Sequence, residues 1–385
     1  MANKLVRNLF FHIQKRFLNA SATGKLSPRS PLPTTSNSSS STFTVQFLVK
    51  SCGLPLKSAR SVSRTLQLDE KNQQRYQSVM ELLKSHNFSG TQVAKLIVKK
   101  PAILQCRVEN NLFPKFNYLK ENGFAGELLP ELFLSNPVII QRALNSHIKP
   151  TFDFLRSVLD SDDKVVAAIR RSSWLLTSDL KGRMQPNIDL LVKVGVPAHS
   201  IEKIVILQPR VISQNHDRMV HAVHAVNNLG IQPTARRFVH AVRVMMSMSD
   251  FTWKKKFELL KNVGWSEEEI FSAFKKKPHF LASSEEKFKN AMDFYLNTMK
   301  LQPQTLIASP IFLMHSVDKR LRPRYNVLQA LESKKLIEGR KKIEWLLLIS
   351  EKNFQKNFVS KYAAEVPGLL EMYLGTRNAT KRDTC

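Results

Sequence analysis

Apolar residues in this chain recur at helical spacing. Val93, Leu96 and Ile97 fall at i, i+3 and i+4, as do Ile201, Ile204 and Val205. No run alternates apolar and polar residues over a useful length, so the pattern predicts an all-α protein. Between the helical segments a proline-led apolar string returns: KKPAIL at 99–104, SNPVII at 135–140, LQPRVI at 207–212, KKPHFL at 276–281 and ASPIFL at 308–313. Pro101 and Pro137 are 36 residues apart, and Pro137 and Pro209 are 72 apart. SSWLL at 172–176 fills the gap, with Ser173 standing where proline is expected, and VMMSMS at 244–249 replaces another such string.

A second string keeps the same beat. NLFPKFNYL (111–119), HIKPTFDFL (147–155), RMQPNIDLL (183–191) and RLRPRYNVL (320–328) carry Pro114, Pro150, Pro186 and Pro323. Eight units start near residues 78, 114, 150, 186, 221, 255, 291 and 323. Each reads as helix, turn, helix, stop. Proline suits the first position of a helix. Asn87, Gly123, Gly195, Gly230 and Gly264 follow the heads by nine residues and suit the left-handed residue that ends one. Ser89 with Gln92, and Ser266 with Glu269, have the spacing of a capping box that opens the second helix. The next proline stops that helix, because it lacks a donor and clashes with the preceding turn.

A fixed period in this range predicts an α-solenoid of about eight repeats of about 36 residues. The expected organisation is an organelle transit peptide and Ser-rich disordered segment over 1–42, an N-terminal opening segment over 43–66, the helical-repeat domain over 67–375 and a disordered tail over 376–385. Apolar runs such as WLLLI at 345–349 are too short to span a bilayer, so no membrane partner is expected. Cys52, Cys106 and Cys385 share no metal-ligand or pairing pattern, which points to a reduced compartment.

Charge changes the picture. The 59 Lys and Arg against 31 Asp and Glu give a net charge of +28. Residues 1–68 hold ten of the cations and no acid, which leaves 49 basic against 31 acidic residues, a net +18, for 69–385. Such an excess favours polyanions, above all nucleic acid; acidic proteins and membrane surfaces are the competing partners. The start, MANKLVRNLFFHIQKRFLNAS, is amphipathic and acid-free, and a Ser-rich stretch follows at 36–42. That is the pattern of an organelle transit peptide, with cleavage expected between about residues 20 and 45. The mitochondrion is the first expectation and the chloroplast the alternative.

The N-P-x-[VIL]-[IL] string, seen as Asn136-Pro137-Val138-Ile139-Ile140, and the 36-residue helical period resemble the mitochondrial transcription termination factor (mTERF) family. FTVQFLVKSCGLPLKSARSVSRTLQLDEKN at 43–72 and NFQKNFVSKYAAEVPGLLEMYL at 353–374 resemble the two ends of its large plant branch. The resemblance implies a left-handed superhelix whose repeats hold two α-helices and a short 3₁₀ turn. It also implies binding of organelle DNA or RNA through a basic groove, in transcription termination or initiation, intron splicing or ribosomal RNA maturation. A pentatricopeptide array has a similar period, but the proline break inside each unit argues against it.

Stacked repeats align equivalent cations, so two registers are candidate phosphate contacts. One is the end of the second helix: Lys99, Lys100, Arg170, Arg171, Arg243 and Lys275 to Lys277. The other is the head of the first helix: Arg75, Lys115, Lys149, Arg183, Arg218, Lys254, Lys255, Lys256, Lys289, Arg322 and Arg324. Cations at a helix C-terminus also offset the macrodipole without any ligand. Phe116, Phe152 and Phe257 are expected in the core, as are Trp174 and Trp253. His221 and His224 stand three apart, but no Cys or acid completes a zinc site. No P-loop, dinucleotide fingerprint or nucleophile elbow is present in the sequence. The expectation is therefore a non-enzymatic, monomeric nucleic-acid-binding regulator without cofactor or metal. The alternative is a helical-repeat scaffold that grips protein partners in organelle ribosome or ribonucleoprotein assembly.

Overall fold

In the computed structural model of the chain, residues 38–337 and 343–382 are described. Among them the backbone forms α-helices, short 3₁₀ turns and π turns, with no strand. The all-α helical-repeat reading holds. The leader and its cleavage region lie largely outside the described residues. A helix, Ser38–Lys50, nevertheless starts inside the segment expected to be disordered, and the last helix, Leu369–Arg382, runs through most of the expected tail.

The Pro114 repeat shows how one unit is built. A π turn, Val108–Leu112, leads into helix Phe113–Glu121; helix Leu128–Ser135 follows, then the 3₁₀ turn Pro137–Gln141. Proline does not open the helical segment, as the sequence reading has it, because helical turns begin six residues earlier. Pro114 has no N–H to offer and its ring crowds the carbonyl four residues back. The backbone answers with a wider turn, in which Leu112 N–H donates to the Arg107 carbonyl at 3.2 Å. The same π turn precedes Pro150, Pro186 and Pro323, at Leu144–Ile148, Leu180–Met184 and Val317–Leu321.

The stop signals behave as the pattern predicts. Asn87, Gly123, Gly195, Gly230 and Gly264 all have positive φ, between 64° and 91°. Gly123 has a second reason to lack a side chain: a Cβ there would sit 2.6 Å from Val166 Cγ2 in the next repeat. Both capping boxes form. Gln92 N–H donates to Ser89 Oγ at 3.2 Å and Ser89 N–H to Gln92 Oε1 at 2.8 Å; the Ser266–Glu269 pair repeats this geometry.

The 3₁₀ turns that close the repeats are Pro101–Gln105, Pro137–Gln141, Ser173–Thr177, Pro209–Val211, Pro278–Ala282 and Pro310–Met314. Ser173 thus makes the turn without proline. At VMMSMS the turn is absent, and helix Arg236–Ser247 runs on until Ser249 caps the next helix. Within each turn the second and third residues after the proline position are buried: Ile103 and Leu104, Ile139 and Ile140, Leu175 and Leu176, Val211 and Ile212, Phe280 and Leu281, Phe312 and Leu313. Burying a side chain of this size stabilises by about 1.5–3 kcal/mol.

The chain divides into two compact units at His221. In the first, aromatic side chains link successive repeats: Phe116 lies 6.0 Å from Phe88 and 4.6 Å from Phe133, and Tyr118 lies 5.4 Å from Phe152. In the second, Phe257 packs on Phe271 at 5.1 Å, Phe280 on Phe288 at 6.1 Å, and Tyr295 on Phe312 at 5.4 Å. Such ring pairs add about 0.5–1.5 kcal/mol each beyond burial. Phe116, Phe152 and Phe257 are in the core, as expected.

Candidate nucleic-acid interface

The cations picked out by register separate into two populations. Lys115, Lys256 and Arg324 are buried, with 5%, 5% and 0% exposure. All three project from the first helix of their repeat onto carbonyls of the segment that closes the same repeat. Lys115 Nζ donates to the Ile140 carbonyl at 2.6 Å and to Asn111 Oδ1 at 2.5 Å. Lys256 Nζ donates to the Leu281 and Ser283 carbonyls at 2.5 Å each. Arg324 Nη1 donates to the Leu347 and Ile349 carbonyls at 2.9 and 2.6 Å, while its Nη2 meets Glu351 at 2.7 Å. These side chains therefore lock the repeat, and they leave the exposed surface set. Burial lowers the pKa of Lys115 and of Lys256. A buried ammonium is retained because the 3₁₀ turn presents carbonyls that otherwise have no donor.

Other repeats achieve the same lock with different chemistry. Asn187 stands one residue after Pro186, as Lys115 does after Pro114. Its Nδ2 donates to the Ile212 and Gln214 carbonyls at 2.9 and 3.0 Å. Arg75 reaches the Gln105 carbonyl, and the Cys106 carbonyl at 3.4 Å. Thr151 turns back to the His147 carbonyl at 2.8 Å, and His147 Nε2 is buried without a hydrogen-bond partner among the described residues. Neighbouring repeats are tied as well: Asn136 Nδ2 donates to the Ser173 carbonyl at 3.1 Å and to Thr177 Oγ1 at 3.0 Å. The asparagine of the Asn-Pro string is thus a strut between consecutive 3₁₀ turns, a role that sequence reasoning missed.

A middle group is half committed. Lys99 Nζ caps the Leu134 carbonyl of the following repeat at 2.7 Å. Lys149 lies 5.6 Å over the Tyr118 ring. Lys255 and Lys289 share Glu285 at 2.8 and 2.9 Å, and these two hydrogen bonds hold the Glu285 carboxyl down at about 2. Arg322 pairs loosely with Asp318 at 3.7 Å and lies over Phe294. Arg243 is half-buried, and burial lowers its pKa.

The uncommitted cations are Arg170, Arg171, Arg183 and Lys254, all exposed and without an acid or carbonyl partner among the described residues. Lys275, Lys276 and Lys277 are exposed too, as is Arg218. Arg170 and Arg171 close helix Asp162–Arg171, and Trp174 follows three residues later with 50% of its surface exposed. This corrects the expectation of a core tryptophan. Trp174 occupies the first position after the proline site of its 3₁₀ turn. Ala102 and Arg210 are exposed at the same register, and only the next two residues turn inward. Trp253 meets the expectation only in part: it is half-buried, with its ring packed 5.2 Å from Phe257 and 5.5 Å from Phe274.

Among the described residues no cluster of three His, Cys, Asp or Glu could hold a metal, and no helix is long and apolar enough to cross a membrane. What the geometry offers is a helical-repeat protein with basic side chains left for a ligand. The chain belongs to the mTERF family, whose pattern matches residues 66–355. That family comprises nucleic-acid-binding regulators of organelle gene expression. Two Arabidopsis thaliana proteins are similar. Transcription termination factor MTERF15, mitochondrial, is 23% identical over 180 residues, 47% of this chain and 40% of that protein. Transcription termination factor MTERF8, chloroplastic, is 20% identical over 182 residues, 47% of this chain and 35% of that protein. The matched region thus spans two fifths or less of each relative's length.

Proposed function

We propose that the protein is a non-catalytic regulator of organelle gene expression that binds DNA or RNA through its uncommitted cations. The observation that carries this reading is the sequence of exposed Arg170, Arg171 and Trp174 at the junction of a helix end and a 3₁₀ turn. Guanidinium groups match phosphate geometry and stay charged. A half-exposed indole offers a stacking platform to an accessible base. Family membership and a net charge of +18 over residues 69–385 support the same reading. The acid-free amphipathic leader favours the mitochondrion, with the chloroplast as alternative, and the two relatives carry one name of each kind. Of the modes the family suggests, transcription termination and intron splicing are the two proposed here.

The test is fluorescence anisotropy with duplex DNA, single-stranded DNA and single-stranded RNA between about 50 and 200 mM salt. Neutralising about six phosphates on a duplex gives a slope of log K against log salt near −5. A flat response, or no binding at the lowest salt, rejects the proposal. Ultraviolet crosslinking in organelles, with sequencing of the bound strands, distinguishes termination sites from introns. Partners that survive nuclease treatment while no nucleic acid is crosslinked support the scaffold alternative.

A further inference from the structure

A cavity of about 420 Å³ opens between the Pro101 turn and the Pro137 turn, wholly within the first unit. Lys100, Lys115 and Arg142 line it together with Cys106, Asn111 and Gln141, and none of its lining side chains is acidic. Its volume is in the range of small-ligand sites.

The donors there are incompletely used. Lys115 is 5% exposed and floors the cavity; two of its three protons go to the Ile140 carbonyl and Asn111 Oδ1, which leaves one. Asn111 accepts that bond through its oxygen, so its NH₂ group remains a donor. Arg142 Nη2 holds the Thr177 carbonyl at 2.8 Å, while its Nε is buried without a partner. A buried, unanswered donor costs on the order of 1–3 kcal/mol. Lys100 brings a third positive charge, and its ammonium makes no hydrogen bond or ion pair among the described residues.

We propose that this cavity is a phosphomonoester site, taking the terminal phosphate of a nucleotide. Three cations without a counter-acid suit a group carrying close to two negative charges better than an internal phosphodiester carrying one. Recess matters too. Lys115 lies below the surface, where a chain end can enter and a phosphate flanked by two sugars is held off. The phosphate is supplied either by a free nucleotide or by the 5′ end of a processed strand. The second source rests on the nucleic-acid reading above; the first does not.

Two measurements on the full chain test it. One is calorimetric titration with AMP. The other is anisotropy of a short 3′-labelled oligonucleotide with either a 5′-phosphate or a 5′-hydroxyl. The phosphorylated form is expected to bind about tenfold more tightly, roughly one charge-assisted hydrogen bond. Lys100→Gln is expected to abolish that preference and AMP binding. Arg142→Gln should do the same, with its melting temperature followed because Arg142 also holds Thr177. Tight AMP binding without end preference assigns the site to free nucleotides. Equal binding of both oligonucleotides with no saturable AMP signal overturns the proposal while leaving general nucleic-acid binding intact. AMP binding with no oligonucleotide bound rejects the nucleic-acid reading and keeps the cavity. AMP binding unchanged in both variants places the ligand elsewhere and overturns it.

Discussion

Lys256 Nζ lies 2.5 Å from the Leu281 carbonyl oxygen, inside the protein and 25 residues away in sequence. The neighbouring Lys254 is exposed and Lys255 is paired with Glu285. Three consecutive lysines thus do three different jobs. Lys256→Met is expected to destabilise the fold by about 3 kcal/mol, since two interior carbonyls lose their donor. Lys254→Met should stay within about 0.5 kcal/mol. Urea denaturation separates them. Equal effects would show that Lys256 is not the lock described.

Lys254→Glu alone is expected to weaken nucleic-acid binding and flatten its salt dependence, with the melting temperature unchanged. Reversing all three lysines together would report mostly unfolding. Anisotropy titrations alongside thermal melts give the comparison. Trp174→Ala should cost about 1–3 kcal/mol of affinity for single strands and little for a duplex, whose bases are already stacked.

Gly123→Ala is expected to be more damaging than Gly195→Ala. Both have strongly positive φ, 91° and 88°, which costs an L-residue about 1–2 kcal/mol. Only at Gly123 does the added Cβ collide with a neighbour, 2.6 Å from Val166, whereas the space at Gly195 is open. The double variant Gly123→Ala/Val166→Ala should recover part of the difference in melting temperature.

Acid should weaken the second unit as pH falls below 6.5. Burial lowers His279 from its usual 6.5 to about 4, helped by the nearby charge of Arg243, and burial lowers His315 likewise, helped by Arg320. The folded state therefore keeps these rings neutral where the unfolded chain protonates them. Between pH 6.5 and 4 proton uptake favours unfolding, so stability is full above this window and falls as pH drops through it. His240, whose pKa burial also lowers, lies 4.7 Å from the His279 ring, so replacing all three by Gln is expected to flatten the melting temperature across that range. Glu285, held at about 2, loses its contribution lower, as pH falls from 4.5 toward 2.

Much of the architecture is written in local signals. Pro101, Pro137 and Pro209 mark where second helices stop. Ser89 and Ser266 mark where such helices begin, and Asn87 with the glycines marks the turns. These work because each depends on its own φ, donor or cap, which a single sequence reveals. The interface was less legible for a physical reason. Lys115 and Arg324 carry the same charge as Arg170 and Arg183, and register alone cannot say whether a long side chain bends inward to a carbonyl or outward to water. Trp174 misled in the opposite sense. It shares an apolar string with Leu175 and Leu176, and only the three-residue pitch of a 3₁₀ turn exposes the first of them. The π turns before Pro114 and Pro150 had no signal of their own beyond the proline itself.

The lock between first helix and closing turn joins atoms of a single repeat, whichever of lysine, arginine or asparagine supplies it. A unit of this kind carries its own fastening when it is copied or deleted. The array can lengthen or shorten by whole modules, each arriving already latched, and diversify its outer side chains without renegotiating how it closes.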